Sequence, residues 1–517
     1  MQTTKIKIFL SIILMAFTIL GLVPISMAAG DDGASTGQIG PVFLVEQQHP
    51  IGRAYGVCHG ELENATNIDS SAISRTYSGW SRNDWPWGWF QTSAIDNFTN
   101  LHNLDDRYQK FTDNMTSLGI KILPILDYST GWLDPVSGVY IPPANISLWQ
   151  RFVNETVTEY QNHMNLWEVW NEPNNFYGVA ENASWDDFFL ILITAARTIK
   201  LINNSLEVLV GGLGGANEHA FLDALMKNIT MTPADVPGYD TVKDLFIGIA
   251  FHPYNGVPED LALSLSRYDE ILSKYNWTTK QGARHWITEI GSDTDSMRDG
   301  FGGGIVNVQR EFAALVVKQT TIATSWLLDG LIWYEYQDNE YPGVFNAIGA
   351  EHMGIIYING TWKPAAYAWN WTNRYLGNGH VDLMPVQVPR PITGIVAKDQ
   401  HLYGGLERWI VVAWNPYNAG RVPTRLQFNT AITRASLHDY ASPGVTDLMP
   451  SSDSIVIDIG YEPILLVIDC PVGANCIIIP GADALGIIFW ILLGLSLGLL
   501  SITGLMTLRR SIKNART

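Results

Sequence analysis

The chain has 517 residues, 47% of them hydrophobic and 16% charged, which is enough for a large domain with a smaller one beside it. Its formal net charge of −18 excludes the basic footprint of a nucleic-acid binder, so no nucleic-acid partner is expected. Three cysteines are too few for a disulfide scaffold.

Near the N-terminus, Lys5 and Lys7 precede an apolar run from Ile8 to Val23, with Ser26 and Ala28 as small residues after it. Residues 1–28 therefore read as a secretory signal peptide. In the following segment, 29–50, the stretch "GPVFLVEQ" suggests one strand. From 51 to 377 apolar runs of strand length alternate with helical patterns. The expected strands are "RAYGVCHG", "AISRTYS", "KILPILDYS", "LWEVWNEP", "LEVLVGGLG", "FIGIAFHPY", "HWITEIG" and "GLIWYEYQD". They are near-continuously apolar, as strands covered on both faces must be. Between them lie amphipathic stretches such as "SWDDFFLILITAARTIKLI", where Ser184 and Asp187 have capping-box spacing. The pattern predicts an α/β fold, a (β/α)8 TIM barrel over 51–377, with a doubly wound sheet as the competing topology.

From 378 to 470 the texture changes to short β-rich runs punctuated by Gly, Pro and Asn, which predicts a small β-sandwich. Residues 471–483 read as a linker, and Cys470 and Cys476 are close enough to close a small disulfide that leaves Cys58 unpaired. Residues 484–506 are uncharged for long enough to span about 30 Å of hydrocarbon. The tail, 507–517, has four basic and no acidic residues, which predicts a cytoplasmic end and an extracellular catalytic domain at the cell membrane. Eleven N-glycosylation sequons, from Asn64 to Asn370, agree with exterior placement and predict N-linked glycans.

Two phrases carry the chemistry. "LWEVWNEPNN" puts Glu172 at the end of the expected fourth barrel strand, and "HWITEIG" puts Glu289 at the end of the seventh. Barrel closure brings both to one mouth, where two carboxyl groups across a cleft suit glycosidic cleavage: one protonates the leaving oxygen while the other attacks. Asn171 supplies an amide beside the first Glu, and Pro173 ends the strand because it cannot donate to a ladder.

On these residues the chain resembles the retaining glycoside hydrolases of clan A, with an Asn-Glu pair after strand four and a Glu after strand seven. The resemblance spans about 51–377 and implies Glu172 as acid/base and Glu289 as nucleophile. It further implies that Arg75 in "ISRTYS" bonds the nucleophile, that His252 and Tyr254 in "HPY" serve the sugar and the nucleophile, and that Trp333 forms the floor under the cleaved sugar. Asp127 and Tyr128 stand where family 5 has a His, which makes the chain look more like family 39.

Other residues gather near the mouth. Trp80, Trp85, Trp87, Trp89 and Trp132 can either stack on sugar faces or pack the core. His59, Glu61, Glu335 and Asp338 are possible hydroxyl partners, whereas Glu168 is expected to be a satisfied barrel carboxylate. No cluster has metal spacing and no Gly-rich loop cradles phosphate, so no metal or cofactor is expected. The expected function is a membrane-tethered retaining O-glycosidase acting on oligo- or polysaccharide. The alternatives are a transglycosidase on the same intermediate and a catalytically silent carbohydrate-binding surface protein.

Overall fold

The computed structural model describes residues 49–50, 54–58, 70–103, 106–130, 132–133, 145–176, 184–215, 217–254, 257–292, 305–338, 352–377, 380–384, 391–416 and 420–480. The expected signal peptide, "GPVFLVEQ" strand, membrane span and cytoplasmic tail fall outside them. Among the described residues, no helix is long and apolar enough to cross a membrane.

Eight parallel strands close into a barrel: β2 (Ala54–Cys58), β3 (Trp80–Pro86), β4 (Lys121–Asp127), β5 (Leu166–Val169), β6 (Glu207–Gly214), β7 (Gly248–His252), β8 (Trp286–Ile290) and β9 (Gly330–Trp333). The near-continuous apolar runs are explained by burial on both faces. The strands' outward residues pack against a helix ring that includes Arg107–Ser117, Ile146–Tyr160, Trp185–Ile202, Pro258–Ser273 and Ile305–Ser325. The helix Trp185–Ile202 opens with the expected capping box between Ser184 and Asp187. Inward residues Trp80, Leu123, Leu166, Leu209, Trp286 and Ile332, with Cys58, fill the barrel's interior, Trp80 meeting Trp286 edge-on at 5.1 Å.

One barrel strand is misplaced in the sequence reading. "AISRTYS" is not a strand: Ser70–Arg75 is a short helix, and the second barrel strand is Trp80–Pro86, in the tryptophan-rich stretch that follows it. Its inward positions are Trp80, Arg82 and Asp84, a polar interior that hides the apolar signature of a strand.

The smaller domain is a β-sandwich of two antiparallel sheets. The larger runs β1 (His49–Pro50), β10 (Val381–Leu383), β11 (Thr393–Tyr403), β12 (Leu406–Trp414), β17 (Ile464–Cys470), β14 (Arg434–His438), β15 (Val445–Leu448). The smaller runs β16 (Ser454–Ile459), β13 (Val422–Phe428), β18 (Cys476–Pro480). The hairpin β11–β12 turns on Gly404 and Gly405, whose φ values of 62° and 84° are those of a type I′ turn. Residues alternate along β12: Trp409 and Val411 join the core between the sheets, while Ile410, Val412 and Trp414 join the barrel's outer core. The larger sheet is thus a middle layer, apolar on both faces. Trp414 Nε1 donates to Glu259 Oε1 at 2.7 Å across that junction. Cys470 is a buried free thiol, so the expected small disulfide is not formed.

Candidate active site

Arg82 is the hub. Strand alternation turns it into the barrel, where it is 1% exposed. Its Nε and Nη2 make a two-pronged pair with Glu168 at 2.7 and 3.0 Å, Nη1 donates to Glu289 Oε1 at 2.6 Å, and Nη2 also donates to Asn171 Oδ1 at 3.0 Å. Burial alone would lower the guanidinium's pKa, but Glu168 and Glu289 outweigh it and hold Arg82 well above its ordinary range. Glu289 is 8% exposed and also accepts from Tyr254 Oη at 2.7 Å. Tyr254 keeps its ring open to the mouth, while burial of its hydroxyl and the charge of Glu289 keep that hydroxyl protonated.

The "NEPNN" phrase is now legible residue by residue. Trp170 and Glu172 have φ values of 71° and 45°, left-handed backbone that non-glycine residues rarely adopt and that marks functional turns. The turn is pinned where Glu172 N donates to Gly212 O at 3.0 Å. Asn174, 1% exposed, clasps Gly214 on the next strand, donating to its carbonyl at 2.5 Å and accepting from its N–H at 3.2 Å. Asn175 Nδ2 donates to Glu172 Oε2 at 2.8 Å. Gly214 has to be glycine, since a Cβ there would stand 2.6 Å from Glu172 Oε1.

His252 bridges the carboxyl groups: Nδ1 lies 3.0 Å from Glu172 Oε1 and 3.7 Å from Glu289 Oε2, and Nε2 lies 3.0 Å from Thr288 Oγ1. The Thr288 hydroxyl has one proton, which it donates to Glu168 Oε1 at 3.0 Å, so toward His252 it accepts. The ring's Nε2 therefore carries hydrogen. A neutral ring then offers only a lone pair at Nδ1, and the short contact with Glu172 requires one proton shared between the two groups. One oxygen of each Glu and a ring nitrogen of His252 all lie within 4.8 Å of one another.

The structure brings together Glu172, Glu289, Asn171, His252 and Tyr254, as expected, and corrects two positions. Arg75 ends a short helix and is itself exposed, its carbonyl accepting from Asn370 Nδ2, so the guanidinium on Glu289 belongs to Arg82. Trp333 is fully buried on the outer side of β9, between Phe312 and Trp369, and cannot underlie a sugar. The aromatic facing the mouth is its neighbour Tyr334. One residue along a strand reverses the side. Trp85 and Trp87 are core residues, Trp87 stacked on Phe152 at 5.7 Å, while Trp89 and Trp132 are half-buried. Asp338 is tied to Lys363 Nζ at 2.6 Å, Glu335 is buried, and His59 and Glu61 lie outside the described residues. Glu168 is the satisfied carboxylate it was expected to be, also accepting from Gly212 N at 2.9 Å.

The Glu172, His252 and Glu289 atoms are close enough to hold a cation, but Arg82 already neutralises Glu289 and would repel one. The arrangement suits a paired acid and nucleophile better.

No family model and no curated protein matches the sequence. Solved structures do match. A family 39 glycoside hydrolase from Bacteroides cellulosilyticus WH2 is similar at TM-score 0.62 and 19% identity, over 80% of this chain and 81% of that one. The catalytic domain of GH30 xylanase C from Talaromyces cellulolyticus is similar at TM-score 0.56 and 11% identity, over 83% and 99%. The GH39 enzyme from Xanthomonas axonopodis pv. citri is similar at TM-score 0.54 and 14% identity, over 82% and 95%. At these identities the likeness is one of fold, a (β/α)8 barrel shared with structures that are glycoside hydrolases by name, the group the motifs resemble.

Proposed function

We propose that the chain is a retaining O-glycoside hydrolase with Glu289 as nucleophile and Glu172 as acid/base. One observation carries the reading: two carboxyl groups from distant strands approach within 4.8 Å, one held by Arg82 and Tyr254, the other sharing a proton with His252. Retaining pairs lie about 5–5.5 Å apart, whereas inverting pairs need roughly 6.5–9.5 Å to admit water. In the first step a Glu289 oxygen bonds the anomeric carbon as the leaving oxygen departs with the proton of Glu172. In the second, Glu172 takes a proton from water as that water displaces Glu289 and the original anomer is restored.

The enzyme acts on oligo- or polysaccharide at the cell surface in this reading, tethered by 484–506, with the exposed Asn97, Asn114, Asn154, Asn276 and Asn359 open to glycosylation. The test uses the full chain on a panel of aryl glycosides, following the product anomer by NMR. Retention is expected, with activity lost in Glu289→Ala. Glu172→Gln should slow natural leaving groups by about 10²–10⁴-fold and activated aryl groups far less. Inversion, or full activity of Glu172→Gln on oligosaccharide, would defeat the assignment.

A further inference from the structure

The sandwich ends close to the proposed membrane span. Strand β18 finishes at Pro480, and only Gly481, Ala482 and Asp483 separate it from the uncharged run that starts at Ala484. Fully extended, the four steps from Pro480 to Ala484 cover at most about 14 Å. The headgroup layer itself takes about 5–8 Å of that. With 484–506 in the bilayer, the edge of the small sheet is held within about 9 Å of the lipid surface. This sheet is also the outermost layer. Along β12, Ile410, Val412 and Trp414 enter the barrel's outer core while Trp409 and Val411 face the small sheet, so the order is barrel, larger sheet, small sheet. On β13 and β16, Leu426, Phe428, Ile455 and Ile459 point into the core between the sheets. Alternation turns Pro423, Arg425 and Val456 outward, with Arg425 and Val456 opposite each other in the register. Val456 is 61% exposed. Arg421 and Arg425 are exposed and form no ion pair among the described residues, against one exposed acid on those two strands, Asp458. A surplus of arginine beside an exposed valine, on a chain of net charge −18, suits lipid phosphates.

The sequons divide along the same boundary. Of 27 Asn between 51 and 377, eleven open a sequon, and the exposed ones stand on several sides of the barrel. Asn97 and Asn359 are in mouth-side loops, Asn114 and Asn154 on outer helices, and Asn276 at the opposite end. None of the five Asn in 378–480 opens one, although Asn429 and Asn475 are exposed. A glycan has no room between a sheet and a membrane. The same residues decide which way the sheet lies. The end where β18 finishes is on the mouth side, because Gly460 just past β16 accepts from Asn415 N, and Trp414 bonds Glu259 at the mouth-side start of the helix Pro258–Ser273. Standing on that end would press the Asn97 and Asn359 loops toward lipid. Lying on the outer face lifts the barrel clear by the depth of the sandwich.

Resting on the membrane tether in the reading above, we infer that the outer face of the small sheet is a docking surface for the anionic headgroups of that membrane. The larger sheet packs on the barrel's flank, against the helices Pro258–Ser273 and Ile305–Ser325. The barrel is thereby carried on its side, and its mouth opens along the membrane instead of away from it.

The experiment reconstitutes the full chain in vesicles of phosphatidylcholine and phosphatidylglycerol, about 3:1, carrying a nitroxide-headgroup lipid as quencher. A fluorophore is attached at Val456→Cys or, as control, at Ile95→Cys, and the signal of the unsubstituted chain is subtracted. Ile95 is 95% exposed in the loop after the second barrel strand, across the barrel from the sandwich. Quenching at 456 is expected to exceed that at 95 at least about fivefold, and to fall about twofold in the Arg421→Glu, Arg425→Glu variant. Equal quenching at both positions, or more at 95, overturns the docking face and leaves the tether intact. Unaltered quenching in the double variant overturns the attraction to headgroups. Cross-linking of unlabelled Val456→Cys to a second copy in high yield gives the face to self-association and overturns the inference as well. A chain that leaves the vesicles in an alkaline wash defeats the tether, and docking with it, while hydrolysis of aryl glycosides by the same preparation reports on the glycosidase reading alone.

Discussion

At the scale of single residues, the site is a chain of commitments in which each group fixes the hydrogen-bonding role of the next. Arg82 makes Glu168 an acceptor, Glu168 takes the only proton of Thr288, and Thr288 in turn fixes which nitrogen of His252 bears hydrogen. Thr288 touches neither proposed catalytic carboxylate in this chain of contacts, so it is a positioning residue. Replacing it with Val keeps the shape and removes the fixed direction. We expect Thr288→Val to lower kcat about 10–100-fold on substrates that need acid assistance, to leave KM nearly unchanged, and to displace the acid-assisted limb of the kcat–pH profile. Thr288→Ser should restore both. An unchanged pH profile in the Val variant would show that the relay does not orient the proton.

At the scale of elements, the site depends on how closely β5 and β6 approach. Gly214 is clasped by Asn174 on both its N–H and its carbonyl, so its backbone cannot retreat from an added methyl group. Gly214→Ala should therefore shift Glu172 and lower kcat/KM about 10²-fold, with a much smaller change in Tm, as read by kinetics and thermal melts on the same preparation. The same elements show why the sequence was only partly readable. Glu172, Glu289, His252 and Tyr254 sit where strand ends are announced by apolar runs broken at a polar residue, and each was found. Arg82 was missed because its strand buries charge instead of hydrocarbon, and Arg75 took its place in a helix that imitates a strand. Trp333 was misassigned by a single position, because periodicity places a strand far more securely than it says which of its two sides faces in. Asp127 stands out in the sequence at the end of its strand, in place of a His, but nothing local shows what it meets. Its contact with Asp84, one strand away, is a property of the assembled mouth.

At the scale of the whole molecule, barrel and sandwich share apolar surface, and a charged residue is caught in the joint. Lys318 is 1% exposed, with its Nζ 3.6 Å over the Tyr461 ring. Burial lowers its pKa from 10.5 to about 8, with Glu259 resisting the shift. A lysine lowered on folding holds its proton less tightly than in the unfolded chain. The native state is therefore penalised below about pH 8, and stability rises as pH climbs from there toward 10.5. Lys318→Met should accordingly be more stable by roughly 2–3 kcal/mol at pH 7, an advantage that fades by about pH 10.5 in denaturant melts. An advantage independent of pH would point to packing instead of charge.

The pairing of His49–Pro50 with Asp382–Leu383 has a temporal consequence. In spatial terms the barrel is an insert between two adjoining strands of one sheet, not a module with an appendage. A newly made chain exposes the first of those strands and must finish the entire barrel before the second emerges, a wait of roughly tens of seconds at ordinary translation speeds. An edge left single for that interval can pair with neighbours on the same ribosome cluster. Among the described residues that strand is His49–Pro50, and its proline has no N–H to offer a neighbour.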